Sequence, residues 1–197
     1  MNSAGRIDER SDEALVNEAR NGSPAAFSEL AKRHRQKVFR LIFGMSGNAA
    51  DADDLAQEAF LAAYRSLARF RGRSGFSTWL YRIAVNTTLN FLKKRGREKS
   101  RVEFSEDLPV GAGPGRPPGD PEARSLRTEL EARVREAVDA LPPRLRAAFV
   151  LVTDRGMSHA EAGRVLGCSE NTVSWRMHKA RRALRSRLEP YLKEASS

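Results

Sequence analysis

Apolar residues recur at helical spacing along most of the chain, and the strict alternation typical of strands is nearly absent. One apolar stripe consists of Phe27, Leu30, Val38, Leu41 and Ile42, and a second of Leu55, Ala59, Ala62, Ala63 and Leu67. With the intervening glycine, proline and asparagine signals, the pattern predicts helices near residues 12–21, 24–45, 51–70, 76–97, 122–140, 143–155, 158–166 and 170–189. The sequence therefore predicts an all-α fold.

The apolar pattern stops in the middle of the chain. Residues 99–121 read KSRVEFSEDLPVGAGPGRPPGDP, in which glycine and proline crowd together. This composition predicts a flexible linker over 99–121 that joins two small helical modules, residues 1–98 and 122–197. Modules of this size bury modest cores, so we expect each to be marginally stable alone.

The net charge of the chain indicates the class of its binding partner. The chain has 35 Lys and Arg against 25 Asp and Glu, a net charge of +10, of which the two modules carry +6 and +5 and the linker −1. An excess of this size indicates a polyanion, either nucleic acid or an anionic membrane surface. The sequence has no run of about 18 apolar residues and no signal-peptide core at its start, so we expect a cytoplasmic protein without membrane insertion. One cysteine, Cys168, and three scattered histidines predict neither a disulfide nor a metal site, and no cofactor is expected.

Basic and aromatic residues concentrate in one segment. Residues 65–97 contain nine Lys and Arg and no acid, interleaved with Phe70, Phe76, Trp79, Tyr81 and Phe91. Cations that follow phosphates beside aromatic faces that stack on bases are typical of single-stranded nucleic acid binding. The spacing also fits packing: it favours a core role for Trp79, suits stacking or capping equally for Phe76, and leaves Asn86 and Asn90 as base contacts or plain surface.

Within this segment, FRGRSGFSTWLYRIAVNTTLNFLKKRGR resembles the promoter-melting and −10-recognition segment of extracytoplasmic-function (ECF) sigma factors of bacterial RNA polymerase. In that family, the loop before the helix captures an extruded base of the non-template strand, and the matching loop here is residues 71–76. A preformed pocket offsets the few kcal/mol that base flipping costs. The resemblance implies a −10 and melting surface made of Arg71, Arg73, Phe76, Arg82, Asn86, Asn90, Lys93 and Lys94.

The preceding helix carries an acidic cluster, DADDLAQEAFLAAYRSL. Acids in a first turn stabilise the helix dipole, which explains Asp51 to Asp54 without any partner. Gln57 and Glu58 lie beyond that turn. The segment resembles the family motif D-A-E-D-L-x-Q-E-x-F, whose helix docks on the coiled coil of the polymerase clamp subunit. The resemblance implies polymerase contacts by Asp53, Asp54, Gln57 and Glu58.

The second module contains the signals of a helix-turn-helix in SHAEAGRVLGCSENTVSWRMHKARRALRSRL. Ser158 and Glu161 form a capping box, Gly167 supplies the turn, and Ser169 caps the next helix. On that helix, Val173, Met177, Ala180 and Leu184 form the buried face. The candidate DNA-reading surface of this helix, which the family resemblance assigns to the −35 element, is Asn171, Thr172, Ser174, Trp175, Arg176, His178, Lys179, Arg181 and Arg182.

These DNA contacts divide by position on the helix. Ser174, Trp175 and His178 lie opposite the buried face and are predicted to contact base edges. The arginines and Lys179 lie on the flanks and are predicted to contact phosphates, which add affinity without sequence information.

The segment LPPRLRAAFVLVTDRGMS resembles the family's L-P-x-x-x-R-x-x-F-x-L motif, although Ala162-Gly163 replaces the usual Ile-Ala and Trp175 replaces a small or polar residue. Together the resemblances imply an ECF sigma factor that directs core RNA polymerase to promoters with −35 and −10 elements, initiates transcription, and is held inactive by an anti-sigma protein. An ordinary helix-turn-helix regulator explains only about the last 40 residues. An enzyme would need a nucleophile with a base, a metal spacing or a phosphate loop, and the sequence has none of these.

Overall fold

The computed structural model describes residues 10–102 and 121–194, and the regular elements in these ranges are all helical, as predicted. The first module consists of α1 (Asp12–Arg20), α2 (Pro24–Ser46), α3 (Ala49–Ser66) and α4 (Phe76–Val102). The second consists of α5 (Pro121–Asp139), α6 (Pro143–Phe149), α7 (His159–Leu166) and α8 (Glu170–Glu194). Residues 99–102 and 121 of the predicted linker are thus helical, and its remainder lies outside the described residues. None of the helices in the described ranges is long and apolar enough to cross a membrane.

Side-chain caps fix where the helices of the first module begin. The Ser11 hydroxyl accepts a hydrogen bond from the backbone N–H of Ala14, the third residue of α1, at 3.2 Å, and the Ser23 hydroxyl accepts one from Ala26, the third residue of α2, at 3.3 Å. The Asn48 side chain caps α3 at 3.0 Å. At the end of α2, Gly47 has φ +73°, and a Cβ there would lie 2.7 Å from the Asp139 carboxylate. Only glycine both adopts this left-handed conformation without strain and leaves room for the Asp139 side chain of the second module.

Two helices end earlier than the periodicity predicts. α3 stops at Ser66 rather than residue 70, where the Ser66 hydroxyl donates to the Ala62 carbonyl at 2.6 Å, and a 3₁₀ turn (Leu67–Arg69) follows. α6 stops at Phe149 rather than residue 155, because a π-helical turn (Val150–Asp154) follows it. In that turn the Arg155 N–H donates to the carbonyl five residues before it, at 3.1 Å. Apolar spacing continues through both breaks and therefore does not reveal them.

α2 lies at the centre of the first module, in contact with α1, α3 and α4. The predicted α2 stripe is buried along its length, whereas Ala62 of the predicted α3 stripe is only half-buried. In the second module, Val150, Leu151, Val165 and Met177 are buried in a core that is continuous with that of the first module. A smaller separate cluster lies where α5 and α8 meet, and consists of Ala137, Leu141, Ala180 and Leu184. Burial of these stripes against one another stabilises both modules.

The two modules also pack against each other: α4 contacts α7, and α2 contacts α6 and the π-helical turn. Arginine side chains donate to main-chain carbonyls across this interface, from Arg146 to Met45 at 2.8 Å, from Arg155 to Lys37 at 3.2 Å, and from Arg82 to Arg164. The approach is close, since a Cβ on Gly44 of α2 would lie 2.9 Å from the Val150 side chain.

Candidate nucleic-acid and polymerase interfaces

The loop between α3 and α4 rests on an aromatic cluster. Phe76, a predicted DNA-contacting residue, is only 6% exposed. Its ring centroid lies 5.8 Å from that of Trp79 and 6.3 Å from that of Phe70. Trp79 is half-buried in the same cluster, in the core role that its spacing favoured. The aromatic side chains therefore pack against one another beneath the loop, and most of their ring surface is in contact with protein rather than solvent.

A polar pocket of about 450 Å³ lies between this loop and α1. The loop contributes Phe70, Arg71, Gly72, Ser74, Gly75, Phe76 and Ser77, and α1 contributes Asp12, Glu13, Val16, Asn17 and Arg20. Sequence reasoning predicted the loop as a site for an extruded base but assigned α1 no part in it. The volume lies within the range of pockets that hold small molecules.

An ion network fixes α1 beside the loop. Asp12 accepts from the buried His34 ring at 2.6 Å and from the Arg33 guanidinium at 3.2 Å. Burial raises the pKa of Asp12, but the hydrogen bonds and charges of His34 and Arg33 outweigh it, so the pKa lies below its ordinary value. The His34 ring also packs edge-on against Phe76, with centroids 5.3 Å apart. The sequence gave no signal for this network, because its partners are more than 20 residues apart along the chain.

The other candidates for the −10 surface are exposed on the loop and on α4. They are Arg71, Arg73, Arg82, Asn86, Asn90, Lys93 and Lys94. Arg82, Asn86 and Asn90 are each four residues apart and share one face of α4. The Arg82 guanidinium donates to the Arg164 carbonyl of α7, so the second module lies at one end of this face.

The predicted polymerase-docking residues lie beside an apolar groove of about 750 Å³ between α2 and α3. Asp53 and Gln57 line the groove, and Asp54 and Glu58 are exposed on the same helix. The groove is lined further by Pro24, Phe27, Ser28, Ala31, Lys32, Arg35, Phe39, Ala56, Phe60, Leu61 and Tyr64. The sequence pattern did not predict the apolar residues of the groove. Leu61 and Tyr64, which are exposed and lie off the buried α3 stripe, could have indicated it.

The predicted helix-turn-helix is present with its caps. The Ser158 hydroxyl accepts from the Glu161 N–H at 3.2 Å, and the Glu161 carboxylate accepts from the Ser158 N–H at 2.8 Å. The carboxylate also accepts from the Ser158 hydroxyl at 2.9 Å, and the two hydrogen bonds that it accepts from Ser158 lower the pKa of Glu161. Gly167 has φ +64°, and Ser169 caps α8 at 3.2 Å. A Cβ on Gly163 would lie 2.8 Å from the Cys168 carbonyl oxygen, which explains glycine at this position.

On α8, the predicted face of Val173, Met177, Ala180 and Leu184 is buried. The opposite side exposes Asn171, Ser174, Trp175, His178, Lys179, Arg181 and Arg182. Trp175 is 56% exposed, and the Lys179 ammonium lies 5.8 Å from its ring centroid.

Two of the predicted α8 candidates lie closer to the turn. Arg176 is half-buried and donates to the sulfur of Cys168 at 3.6 Å, and the Thr172 hydroxyl pairs with that of Ser169 at 2.8 Å. Cys168 is the free, half-buried cysteine. Among the residues that the structure describes, no three His, Cys, Asp or Glu side chains converge on a possible metal site.

Comparison with known proteins extends over both modules. Residues 30–98 match the family Sigma-70 region 2, and residues 131–184 match Sigma-70, region 4. The RNA polymerase sigma-H factor of Pseudomonas aeruginosa is 38% identical over 192 residues, 96% of this chain and 100% of that protein. The ECF RNA polymerase sigma-E factors of Haemophilus influenzae and Escherichia coli K12 are 37% and 36% identical over 92% of this chain and 97% and 96% of theirs.

Solved structures share the architecture. CnrH, solved in complex with the cytosolic domain of CnrY, superposes with a TM-score of 0.64 at 28% identity, covering 92% of this chain and 99% of that one. The sigma factor RpoE of Bartonella quintana, solved with the anti-sigma factor NepR, superposes at 0.63 with 22% identity, covering 83% and 96%. The second likeness concerns the fold alone.

Proposed function

This chain belongs to the extracytoplasmic-function sigma factors of the sigma-70 family, and we propose that three of its surfaces divide the work of promoter recognition. Sigma factors of this family are initiation factors rather than enzymes. The protein directs core RNA polymerase to its promoters, and promoter DNA lies in the cytoplasm, where we place its action. One observation supports the assignment of three separate roles: a single chain contains an acidic helix, α3, and two separate basic, exposed surfaces.

The first surface docks on the polymerase. Asp53, Asp54, Gln57 and Glu58 supply carboxylates and an amide beside the apolar α2–α3 groove. An interface of this kind combines apolar contact area with charges that select a basic partner. The exposed Leu61 and Tyr64 supply apolar area at its edge.

The second surface opens and reads the −10 element. The arginines of the loop and the lysines near residue 94 follow the phosphates, and the amides of Asn86 and Asn90 contact bases on one face of α4. Because Phe76 is buried, its role is to support the captured base through the pocket floor rather than to offer an open face for stacking.

The third surface reads the −35 element through α8. Ser174, Trp175 and His178 contact base edges in the major groove, and Lys179, Arg181 and Arg182 contact phosphates. Arg176 contributes to the phosphate contacts from its place beside the turn. A second protein bound to the similar CnrH supports a further proposal, that a regulatory anti-sigma protein controls the access of polymerase to these surfaces.

The two modules have to move apart before the protein can contact both promoter elements. α7 contacts α4, whereas promoter elements two helical turns apart lie roughly 70 Å from each other. The predicted linker of residues 99–121 reaches about 76–83 Å when fully extended, whereas the 18 residues between α4 and α5 reach about 59–65 Å. The modules therefore separate on the polymerase, and the connection alone spans this distance only if the helical residues at its two ends unwind as well.

Charge reversal tests the docking surface. The double variant Asp54→Arg, Glu58→Arg should lose co-elution with core polymerase while its helix content stays unchanged, because both carboxylates are exposed. The matched control is Glu13→Arg, Glu18→Arg on α1, which changes the charge equally outside the groove. Equal binding by the docking variant and the control would overturn the assignment.

An upstream-element library tests α8. Arg181→Ala should weaken binding to all sequences alike, because phosphate contacts carry no sequence information. Trp175→Ala or His178→Ala should change which sequences are preferred, by about 1–3 kcal/mol per lost base contact. Uniform loss in the Trp175 and His178 variants would contradict their role as base readers.

A further inference from the structure

We propose that Trp175 recognises a thymine of the upstream promoter element through the C5-methyl group of that base, and that this contact is a specificity determinant of the protein. The proposal rests on the −35 function proposed above for α8. It adds to that function the chemical group on the DNA that one residue of the surface reads.

The first observation is the position of Trp175 on α8. Trp175 lies two residues from Val173 and two residues from Met177, and both of these side chains are buried. Because an α-helix turns by about 100° per residue, Trp175 leaves the helix on the side opposite to them. It also lies in the N-terminal part of α8 (Glu170–Glu194), the part of a recognition helix that reaches base edges. An indole ring therefore occupies the centre of the DNA-facing side of α8.

The second observation is the exposure of this ring. In the described part of α8, the exposed large apolar side chains are Trp175 and Tyr191, and Tyr191 lies 16 residues farther along the helix. The DNA-facing residues beside Trp175 are Asn171, Ser174 and His178, which are all polar. A large apolar surface that contacts water in the free protein is stabilised when it meets another apolar group. The DNA group that Trp175 contacts should accordingly be apolar.

The third observation is the contact between Trp175 and Lys179 in the next turn of α8. The Lys179 ammonium lies 5.8 Å from the ring centroid of Trp175. Attraction between the cation and the ring face restrains the orientation of the ring. The ammonium occupies one side of the ring, so the other side and the ring edge remain for a base.

The chemistry of the indole ring gives the direction of the preference. Indole has one N–H donor, no acceptor and an otherwise apolar surface. The edges of the base pairs in the major groove present hydrogen-bond donors, hydrogen-bond acceptors and one apolar group, the C5-methyl of thymine. Cytosine has a hydrogen in place of this methyl group. Trp175 should therefore favour thymine at the base that it contacts.

The test uses holoenzyme assembled from the full chain and core polymerase, and promoter duplexes with the upstream sequence that the library selects. Each thymine of this element, on either strand, is replaced in turn by deoxyuridine, which keeps the base pair and its carbonyl oxygens and lacks only the methyl group. At one position, wild-type holoenzyme should bind the deoxyuridine duplex about fourfold more weakly, the ratio that corresponds to one buried methyl group. Trp175→Ala should bind both duplexes equally at that position.

A second measurement adds the methyl group to a different base. When the same thymine–adenine pair is replaced by a cytosine–guanine pair, wild-type holoenzyme should bind the duplex with 5-methylcytosine about fourfold more tightly than the duplex with cytosine. Trp175→Ala should not distinguish these two duplexes. Both comparisons are made at one fixed salt concentration, because phosphate contacts make the affinity depend on salt.

The matched control is Tyr191→Ala, which also removes an exposed aromatic ring from α8. Tyr191 lies near the C-terminal end of the helix, where the Arg133 guanidinium lies 4.7 Å from its ring centroid. This variant should keep the wild-type ratios, and circular dichroism verifies the helix content of both variants.

Three results would overturn the inference. They are a wild-type ratio near one at every thymine, a wild-type ratio that persists in Trp175→Ala, and selection of an upstream element that contains no thymine. If wild-type holoenzyme selects no upstream sequence from the library, the proposed −35 function itself is refuted.

Discussion

Replacement of Arg146 by methionine tests the most heavily bonded side chain at the junction of the two modules. Arg146 is 7% exposed and donates to the main-chain carbonyls of Asp139, Leu141 and Met45 and to the Asp139 carboxylate. The Asp139 carbonyl belongs to the last residue of α5, the Leu141 carbonyl lies just beyond that helix, and the Met45 carbonyl belongs to the last turn of α2. Methionine fills a similar volume without donating, so Arg146→Met removes the hydrogen bonds and creates little cavity.

The magnitude follows from these contacts. A hydrogen bond to a charged group contributes about 1.5–3 kcal/mol, and bonds from one side chain do not add independently. Removal of one partner from a buried charged network costs about 3–5 kcal/mol, because the remaining groups stay buried without a partner. We therefore expect Arg146→Met to lower the free energy of unfolding by about 3–5 kcal/mol, a large share of the roughly 5–15 kcal/mol typical of domains.

Urea unfolding followed by circular dichroism measures the change. The matched control is Arg144→Met, an exposed position two residues away on α6, which should stay within about 0.5 kcal/mol of wild type. A loss below about 1 kcal/mol in Arg146→Met would refute the reasoning, since it would mean that the carbonyls find other donors or remain hydrated.

Two further outcomes follow from the first module and the helix-turn-helix. His34 and Arg33 lower the pKa of Asp12 below 3.8 in the folded state. The contribution of the Asp12 carboxylate to folding stability is therefore fully present above pH 3.8, and it is lost as the pH falls through the folded-state pKa. The difference in urea midpoint between wild type and Asp12→Asn should accordingly become smaller when the pH is lowered from 6 to 3. A difference that stays constant over this range would contradict the assigned role of the Asp12 carboxylate. Gly163→Ala places a Cβ 2.8 Å from a backbone oxygen of the turn and should cost about 1–3 kcal/mol, whereas Gly96→Ala, with open space around the added Cβ, should be neutral or stabilising in the same melting assay.

Local signals predicted the helices well, because helix ends depend on neighbouring residues. The Ser158 capping box, Gly167 and the buried stripe of α8 all lie where spacing and residue type indicated. The breaks after Ser66 and Phe149 were missed because apolar spacing runs through them.

Contacts distant in sequence could not be predicted from spacing. The bond from Arg146 to Met45 joins residues 101 positions apart, and the pocket wall of α1 faces a loop more than 50 residues away. The family motif marked Arg146 as a motif residue without revealing its acceptors. For Phe76, spacing left stacking and capping open, and only the rings packed around it indicate a supporting role.

Three hydrogen bonds that join the modules share one property: Arg82, Arg146 and Arg155 each donate to a neutral carbonyl of the main chain. A contact between a charge and a neutral dipole is screened less by salt than a contact between two charges, whereas binding to DNA phosphates falls steeply as salt rises. We therefore expect increasing salt to weaken the proposed extended, promoter-bound form more than the packed form. Ionic strength should then shift the conformational population of this protein as well as its affinity for DNA.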